Sequence, residues 1–213
     1  MGFSFFIGNG LSLYLPVLLV SYLIGSIPTA LWFGKIKYGI DIRKEGSKNS
    51  GATNTFRVFG KKAGIFVLSI DVLKGFIVVF ITSLIIVINN EKNLLFYAGI
   101  FTILGHVFSV FARFKGGKGV ATSLGVLIGL TPFIALICLL IFLIVFIYTK
   151  YVSLGAIIAS VSFPLLVIFF DNSENEILLY CSISLCLLVI FSHRKNIQRL
   201  LKGTENKMNL FKK

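Results

Sequence analysis

The chain reads as an all-α integral membrane protein with seven transmembrane helices, N-terminus outside and C-terminus cytoplasmic. Three observations carry this reading. The 213 residues are 56% hydrophobic, with a mean hydropathy of +0.93, far more apolar than a soluble domain of that length. The apolar residues gather in long runs at 11–34, 65–89, 94–112, 120–148, 152–170 and 176–192, where a spanning helix needs about 20 residues. None of these runs alternates polar with apolar as a barrel strand would. The formal charge of +13 is spread unevenly, and that sets the orientation.

The first run follows no basic segment and is long enough to span, so it reads as a helix and not as a cleaved signal. The run 120–148 carries Pro132 near its middle and could be one long span or two. Charge decides. Lys and Arg gather on the cytoplasmic side. With a break at Pro132, the segments 35–63, 113–119, 149–151 and the tail from 193 all fall inside. They hold every one of the 21 Lys and Arg except the intramembrane Lys74 and the external Lys92. A single span would put the cationic tail outside. The outer loops are short, "NNEKN" at 89–93 and "DNSEN" at 171–175. All the long polar sequence faces inward, in one domain covering 1–213.

Cys138, Cys181 and Cys186 all sit in apolar runs. Cys181 and Cys186 stand about 140° apart around a helix, which fits neither a metal nor a disulfide pattern. They read as packing residues. Asp71 and Lys74 are ionisable residues inside a span, where charge is costly. Their i,i+3 spacing suits a structural ion pair. His106 reads as an interhelical polar residue.

Three inward motifs remain. The first, "KEGSKNSGATNTFRVFGKK" at 44–62, sets small polar side chains and glycines among cations. Lipid attraction explains the cations but not the Ser47, Asn49, Thr53 and Asn54 around them. Arg57 and Lys61, four apart, share a face if 53–61 is helical. The second, "FKGGKGVAT" at 114–122, puts Gly116 and Gly117 before Lys118 and a helix start. That suggests backbone donors with a point cation, a phosphate cradle. It lacks the spacing of a P-loop. The third, "SHRKNIQRL" at 192–200, puts His193 and Asn196 on one helical face at the basic end of the last helix. Helix-end electrostatics accounts for the cations but less well for those two.

Together these motifs resemble the acyl-phosphate-dependent glycerol-3-phosphate acyltransferase family of bacteria. The matching stretches are "GSIP" (25–28), "GSKNSGATNTFR" (46–57), "GKKAG" (60–64), "DVLKG" (71–75), "GHVF" (105–108), "FKGGKGVAT" (114–122), "YVSL" (151–154) and "HRKNIQRLLKGTE" (193–205). They cover almost the whole chain in order. The resemblance implies an enzyme of the bacterial cytoplasmic membrane with seven transmembrane helices and a cytoplasmic active site. It would move a fatty acyl group from acyl phosphate to the sn-1 hydroxyl of glycerol 3-phosphate, giving lysophosphatidic acid and phosphate. It implies no cofactor, no metal and no nucleic acid. The implied partners are the two substrates, the bilayer and the enzyme that makes acyl phosphate. Two positions depart from the family pattern: Lys48 stands where S-G-N has its Gly, and Ser109 where a Pro follows "GH-x-x".

The resemblance carries substrate contacts onto Ser47, Asn49, Arg57, Lys61, Lys118, Ser153, His193 and Asn196. Asn54 is added on chemistry, and Gly116 and Gly117 as cradle donors. His193, Asn196 and Ser47 are the expected catalytic residues. No acyl-enzyme nucleophile is visible, since no cysteine lies in these motifs and Ser47 has no evident triad. Direct attack on an already activated donor is the simpler scheme. Either His193 or a substrate phosphate takes the proton. Two alternatives stand beside this. An organic-phosphate transporter would place its site near the midplane, often in paired repeats. A lipid-binding scaffold would tolerate Lys at Arg57.

Overall fold

Of the 213 residues, the computed structural model describes 2–89, 91–171 and 176–208, with the side chains of 2–11, 88 and 89 excepted. The two outer loops and the last two lysines of the tail therefore lie partly or wholly outside the described residues. Among the described residues ten α-helices follow one another: α1 (Gly2–Ser26), α2 (Thr29–Tyr38), α3 (Ala52–Phe59), α4 (Lys61–Asn89), α5 (Lys92–Val107), α6 (Val120–Leu130), α7 (Pro132–Thr149), α8 (Val152–Phe170), α9 (Ile177–Ser192) and α10 (Arg194–Leu201). No strand occurs among the described residues.

Among the described residues, four stretches are long and apolar enough to cross a membrane: Lys61–Val87, Lys92–Ala112, Pro132–Thr149 and Val152–Phe170. Two bent pairs raise the number to six. α1 and α2 meet at 40°, and α9 and α10 at 61°. The first bend falls at Ile27–Pro28, where proline disfavours helical geometry in the residue before it. The expected break in 120–148 is present, with Pro132 opening α7, a position that needs no backbone donor. α6 has 11 residues, about 16 Å of helix, which is short for a span.

Helices meet closely where glycine leaves room, as membrane packing requires. A Cβ on Gly25 of α1 would lie 2.0 Å from the Thr102 carbonyl oxygen of α5, and one on Gly125 of α6 would lie 1.9 Å from that of Val72 in α4. α7, α8 and α9 pack in sequence. One buried cluster joins α6 through α9, with Leu127, Cys138, Phe163 and Leu185 among its members.

Charge inside the bundle is paired. Lys74 Nζ lies 2.8 Å from Asp71 Oδ1 and donates to the Ile27 carbonyl at 3.0 Å. Thr29 donates to Asp71 at 2.9 Å. His106 Nδ1 stands 3.7 Å from the same carboxylate oxygen and 3.1 Å from the Thr122 hydroxyl. The expected structural pair is therefore part of a network tying the α1–α2 bend to α4, α5 and α6. Ser109, at the second departure, donates to the Ser26 carbonyl and caps the turn Val110–Ala112 by accepting from the Ala112 amide at 3.2 Å.

Candidate functional site

The loop before α3 is shaped by one side chain. Asn54 is buried. Its amide nitrogen donates to the carbonyls of Ile42, Glu45 and Asn49 at 3.0–3.1 Å, and its oxygen accepts from the Ser47 amide at 2.8 Å. Gly46 is forced here: its φ is +54°, and a Cβ would sit 2.4 Å from Asn54 Oδ1. Lys48 also has a left-handed backbone, with φ 59°, the region glycine occupies most cheaply. With the loop held, Ser47, Asn49 and Arg57 all line one cavity.

The Gly-Gly-Lys turn reaches the same cavity differently from the sequence expectation. The Gly116 and Gly117 amides are not open donors. They pair with the carbonyls of Val107 and His106, both at 3.1 Å. A Cβ on Gly116 would lie 2.0 Å from the His106 carbonyl oxygen, and one on Gly117 would lie 2.1 Å from His106 Nε2. The two glycines serve close packing, and only Lys118 of the three presents its side chain to the site.

Lys118 Nζ donates to Asn196 Oδ1 at 2.5 Å. Asn196 Nδ2 donates to Glu205 Oε1 at 2.6 Å, which also accepts from Ser153 Oγ at 2.7 Å. Glu205 Oε2 accepts from Arg199 Nε at 2.6 Å. So α8, α10 and the tail meet at one carboxylate, and the turn before α6 joins them through Asn196. The tail gets there by turning back at Gly203, whose φ is +68°. The Asn206 carbonyl accepts from Arg57 Nη2 at 3.2 Å, and the Met208 amide donates to the Lys150 carbonyl at 2.9 Å. Ser153, His193 and Asn196 are 5%, 3% and 6% exposed, so they face the cavity and not bulk water.

These contacts set the charge state. Burial pushes the Lys118 pKa down to about 8, with Glu205 opposing and Arg199 and Arg57 adding to the fall. Burial also lowers Arg57, with Glu205 opposing. Burial alone would raise Glu205, but hydrogen bonds from Ser153, Asn196 and Arg199 outweigh it and hold the carboxyl below its usual range. Burial and then the Lys118 charge hold His193 at about 4, so its imidazole is neutral near pH 7. His193 Nδ1 lies 2.9 Å from the Val189 carbonyl, which can only accept, so Nδ1 carries the proton. Nε2 keeps its lone pair as an acceptor. Three cations against one carboxylate leave the polar end positive, which suits an anionic ligand.

Lys61 is not part of this arrangement. Gly60 ends α3 with a φ of +85°, so Arg57 and Lys61 do not share a helix face. Lys61 lines a separate groove with Lys37, Lys62, Phe33, Tyr38 and Phe66. Asn54 touches the cavity, yet its amide is committed to backbone, so it shapes the loop. Glu205 was missed as a site residue. The signal was available: it is the one acidic residue in the cationic stretch 193–207.

The cavity is about 400 Å³. Beyond its polar end it continues between α6, α7, α8 and α9 as an apolar limb past Leu124, Phe142, Phe146 and Ala156. A positive, hydrogen-bonding head joined to an apolar limb, in a bundle of membrane-length helices, defines a membrane protein that handles an anionic amphiphile.

Known proteins narrow this class. The glycerol-3-phosphate acyltransferase family model matches residues 15–203, and the chain belongs to that family. The glycerol-3-phosphate acyltransferase of Fusobacterium nucleatum subsp. nucleatum is 48% identical over 190 residues, which are 89% of this chain and 95% of that one. The enzyme of the same name from Endomicrobium trichonymphae is 44% identical over 196 residues, 92% of this chain and 96% of that one. The crystal structure of PlsY (YgiH), an integral membrane glycerol 3-phosphate acyltransferase, is 38% identical. Its glycerol 3-phosphate form superposes with a TM-score of 0.84 over 93% of this chain and 99% of that one. Its lysophosphatidic acid form gives 0.81 over 92% and 96%.

Proposed function

We propose that this protein transfers a fatty acyl group from acyl phosphate to the sn-1 hydroxyl of glycerol 3-phosphate, releasing lysophosphatidic acid and inorganic phosphate. This is the first acylation of phospholipid synthesis. The observation that carries the reading is the single cavity in which Arg57, Lys118 and the Glu205 cluster stand at the head of an apolar limb. One substrate is a small dianion and the other an anion with a fatty tail. The cavity has a place for both.

The chemistry needs little from the protein beyond positioning and charge. The sn-1 oxygen forms a bond to the acyl carbonyl carbon. The bond from that carbon to the phosphate oxygen breaks, and its electron pair leaves with phosphate. Arg57 and Lys118 hold phosphate groups and screen their repulsion. Ser47 and Asn49, carried on the loop that Asn54 shapes, add hydrogen bonds to phosphate oxygens. Asn196 and Ser153, held by Glu205, orient the glycerol moiety. The hydroxyl proton has two possible acceptors, the neutral His193 Nε2 and a substrate phosphate oxygen. Near-normal activity in His193→Ala would assign it to the phosphate.

The polar end of the cavity is built from 47–57, 118, 153 and 193–205, the segments adjoining or within those that the positive-inside count puts in the cytoplasm. This supports a site facing the cytoplasm of a bacterial inner membrane. It also supports seven membrane segments, with α6 the short one, N-terminus outside and C-terminus inside.

The test is donor choice. Purified protein in detergent is given glycerol 3-phosphate with either palmitoyl phosphate or palmitoyl-CoA, and both phosphate release and lysophosphatidic acid are followed. The reading expects product from palmitoyl phosphate alone. Product from palmitoyl-CoA alone, or from neither donor in folded protein, would contradict it.

A further inference from the structure

The apolar limb of the cavity has a closed end. On each of the four helices lining it, the lining positions stop at one residue: Leu127 on α6, Cys138 on α7, Phe163 on α8 and Leu185 on α9. All four are buried. All four belong to one packed cluster, in which Ile134, Ala135, Val167 and Leu178 lie outside the cavity wall. The limb therefore ends against a plug of core and not against lipid.

Three helices give concordant depths. On α8 the wall runs from Ser153 at the polar end to Phe163, ten residues on, or about 15 Å of helix. His193 to Leu185 on α9 and Phe146 to Cys138 on α7 each span eight residues, about 12 Å. A staggered alkyl chain advances about 1.3 Å per carbon, so the straight limb takes about ten carbons before it meets the floor. Near the floor the α8 wall is small, with Ala159 and Ser160. The Ser160 hydroxyl is turned to the Ile157 carbonyl at 2.8 Å, so it presents no unpaired polar group. Leu68 and Leu143 line the same cavity yet are each 38% exposed, which gives the upper limb a lateral mouth toward the bilayer.

We propose that the floor formed by Leu127, Cys138, Phe163 and Leu185 sets the acyl-chain preference of the enzyme. It stops the terminal methyl group of a chain that enters straight, and a longer chain must bend out through the mouth at Leu68 and Leu143. The inference rests on the acyltransferase reading above.

The test compares purified full-length wild type with Ala159→Phe, Cys138→Phe and Phe163→Ala. Each receives glycerol 3-phosphate and a series of acyl phosphates from eight to eighteen carbons. The two filling variants should keep the wild-type rate on the eight-carbon donor and lose about tenfold or more on the longest donors. Phe163→Ala should move the optimum toward longer chains. Ala159 is only partly buried, and the eight-carbon rate reports folding in every variant. A chain-length profile identical to wild type, in a filling variant active on the short donor, overturns the inference. If both filling variants are inactive at all lengths, an unchanged optimum in Phe163→Ala overturns it. A wild type that uses no acyl phosphate of any length sinks the acyltransferase reading itself, which is a different failure.

Discussion

A buried lysine beside two arginines holds its proton less firmly than one in water. Lys118 is such a residue, with its pKa pulled from 10.5 to about 8 by burial first and then by its cationic neighbours. Two consequences run in opposite directions. In the proposed reaction the cationic form is the one that binds phosphate, and kcat/KM reports the free enzyme. It should stay level below pH 8 and fall above it, and Lys118→Arg should remove that fall from whatever activity remains. Stability follows the other sign. Between pH 8 and 10.5 the unfolded chain holds a proton on this residue that the folded one has released, so the unfolding free energy gains from Lys118 as pH rises through that window. Kinetics and thermal unfolding measured over the same pH range check both. A kcat/KM that rises above pH 8 would contradict the assignment.

The residues that the sequence disclosed were those whose chemistry is scarce in an apolar chain. Arg57, Lys118, His193 and Asn196 stand out as polar groups at helix ends, and they do converge. Glu205 escaped because one carboxylate in a basic tail looks like solvated charge. Its role depends on a chain reversal at Gly203 that brings it to Ser153, 52 residues away. Gly116 and Gly117 look like a cradle from spacing alone. Whether their amides are free depends on the end of α5, which local sequence does not reveal.

At the scale of elements, the site is closed by the segment after α10. It contributes Glu205 to the Ser153–Asn196–Arg199 cluster, the Asn206 carbonyl to Arg57 and the Met208 amide to the corner between α7 and α8. None of the helices long enough to span depends on it for length or composition. A chain ending at Lys202 should therefore insert and keep its helical circular dichroism. Its transfer activity should fall about tenfold to a hundredfold, the cost of one or two charge-assisted hydrogen bonds. Full activity would show that the tail only covers the site. The same scale explains Lys61. A helical period links it to Arg57 only if the helix continues, and the left-handed Gly60 breaks that period.

On the scale of the whole molecule, the apolar runs and the break at Pro132 were legible because a bilayer imposes a length and proline imposes a boundary. The bends at Pro28 and His193 and the shortness of α6 were less so, since hydropathy counts residues and not their direction. What the assembled bundle adds is a cavity whose polar end is drawn from four separated stretches of chain. The central claim is that glycerol 3-phosphate acylation takes place there. The most direct measurement sets Lys118→Ala against Lys61→Ala, two losses of one positive charge, in the same acyl phosphate assay. Loss of a preorganised cationic donor should cost Lys118→Ala about a hundredfold or more in kcat/KM, while Lys61→Ala, outside the cavity, should stay within about threefold of wild type, an exposed charge being worth little. The reverse order, or equal losses, would place the reaction elsewhere and contradict this account.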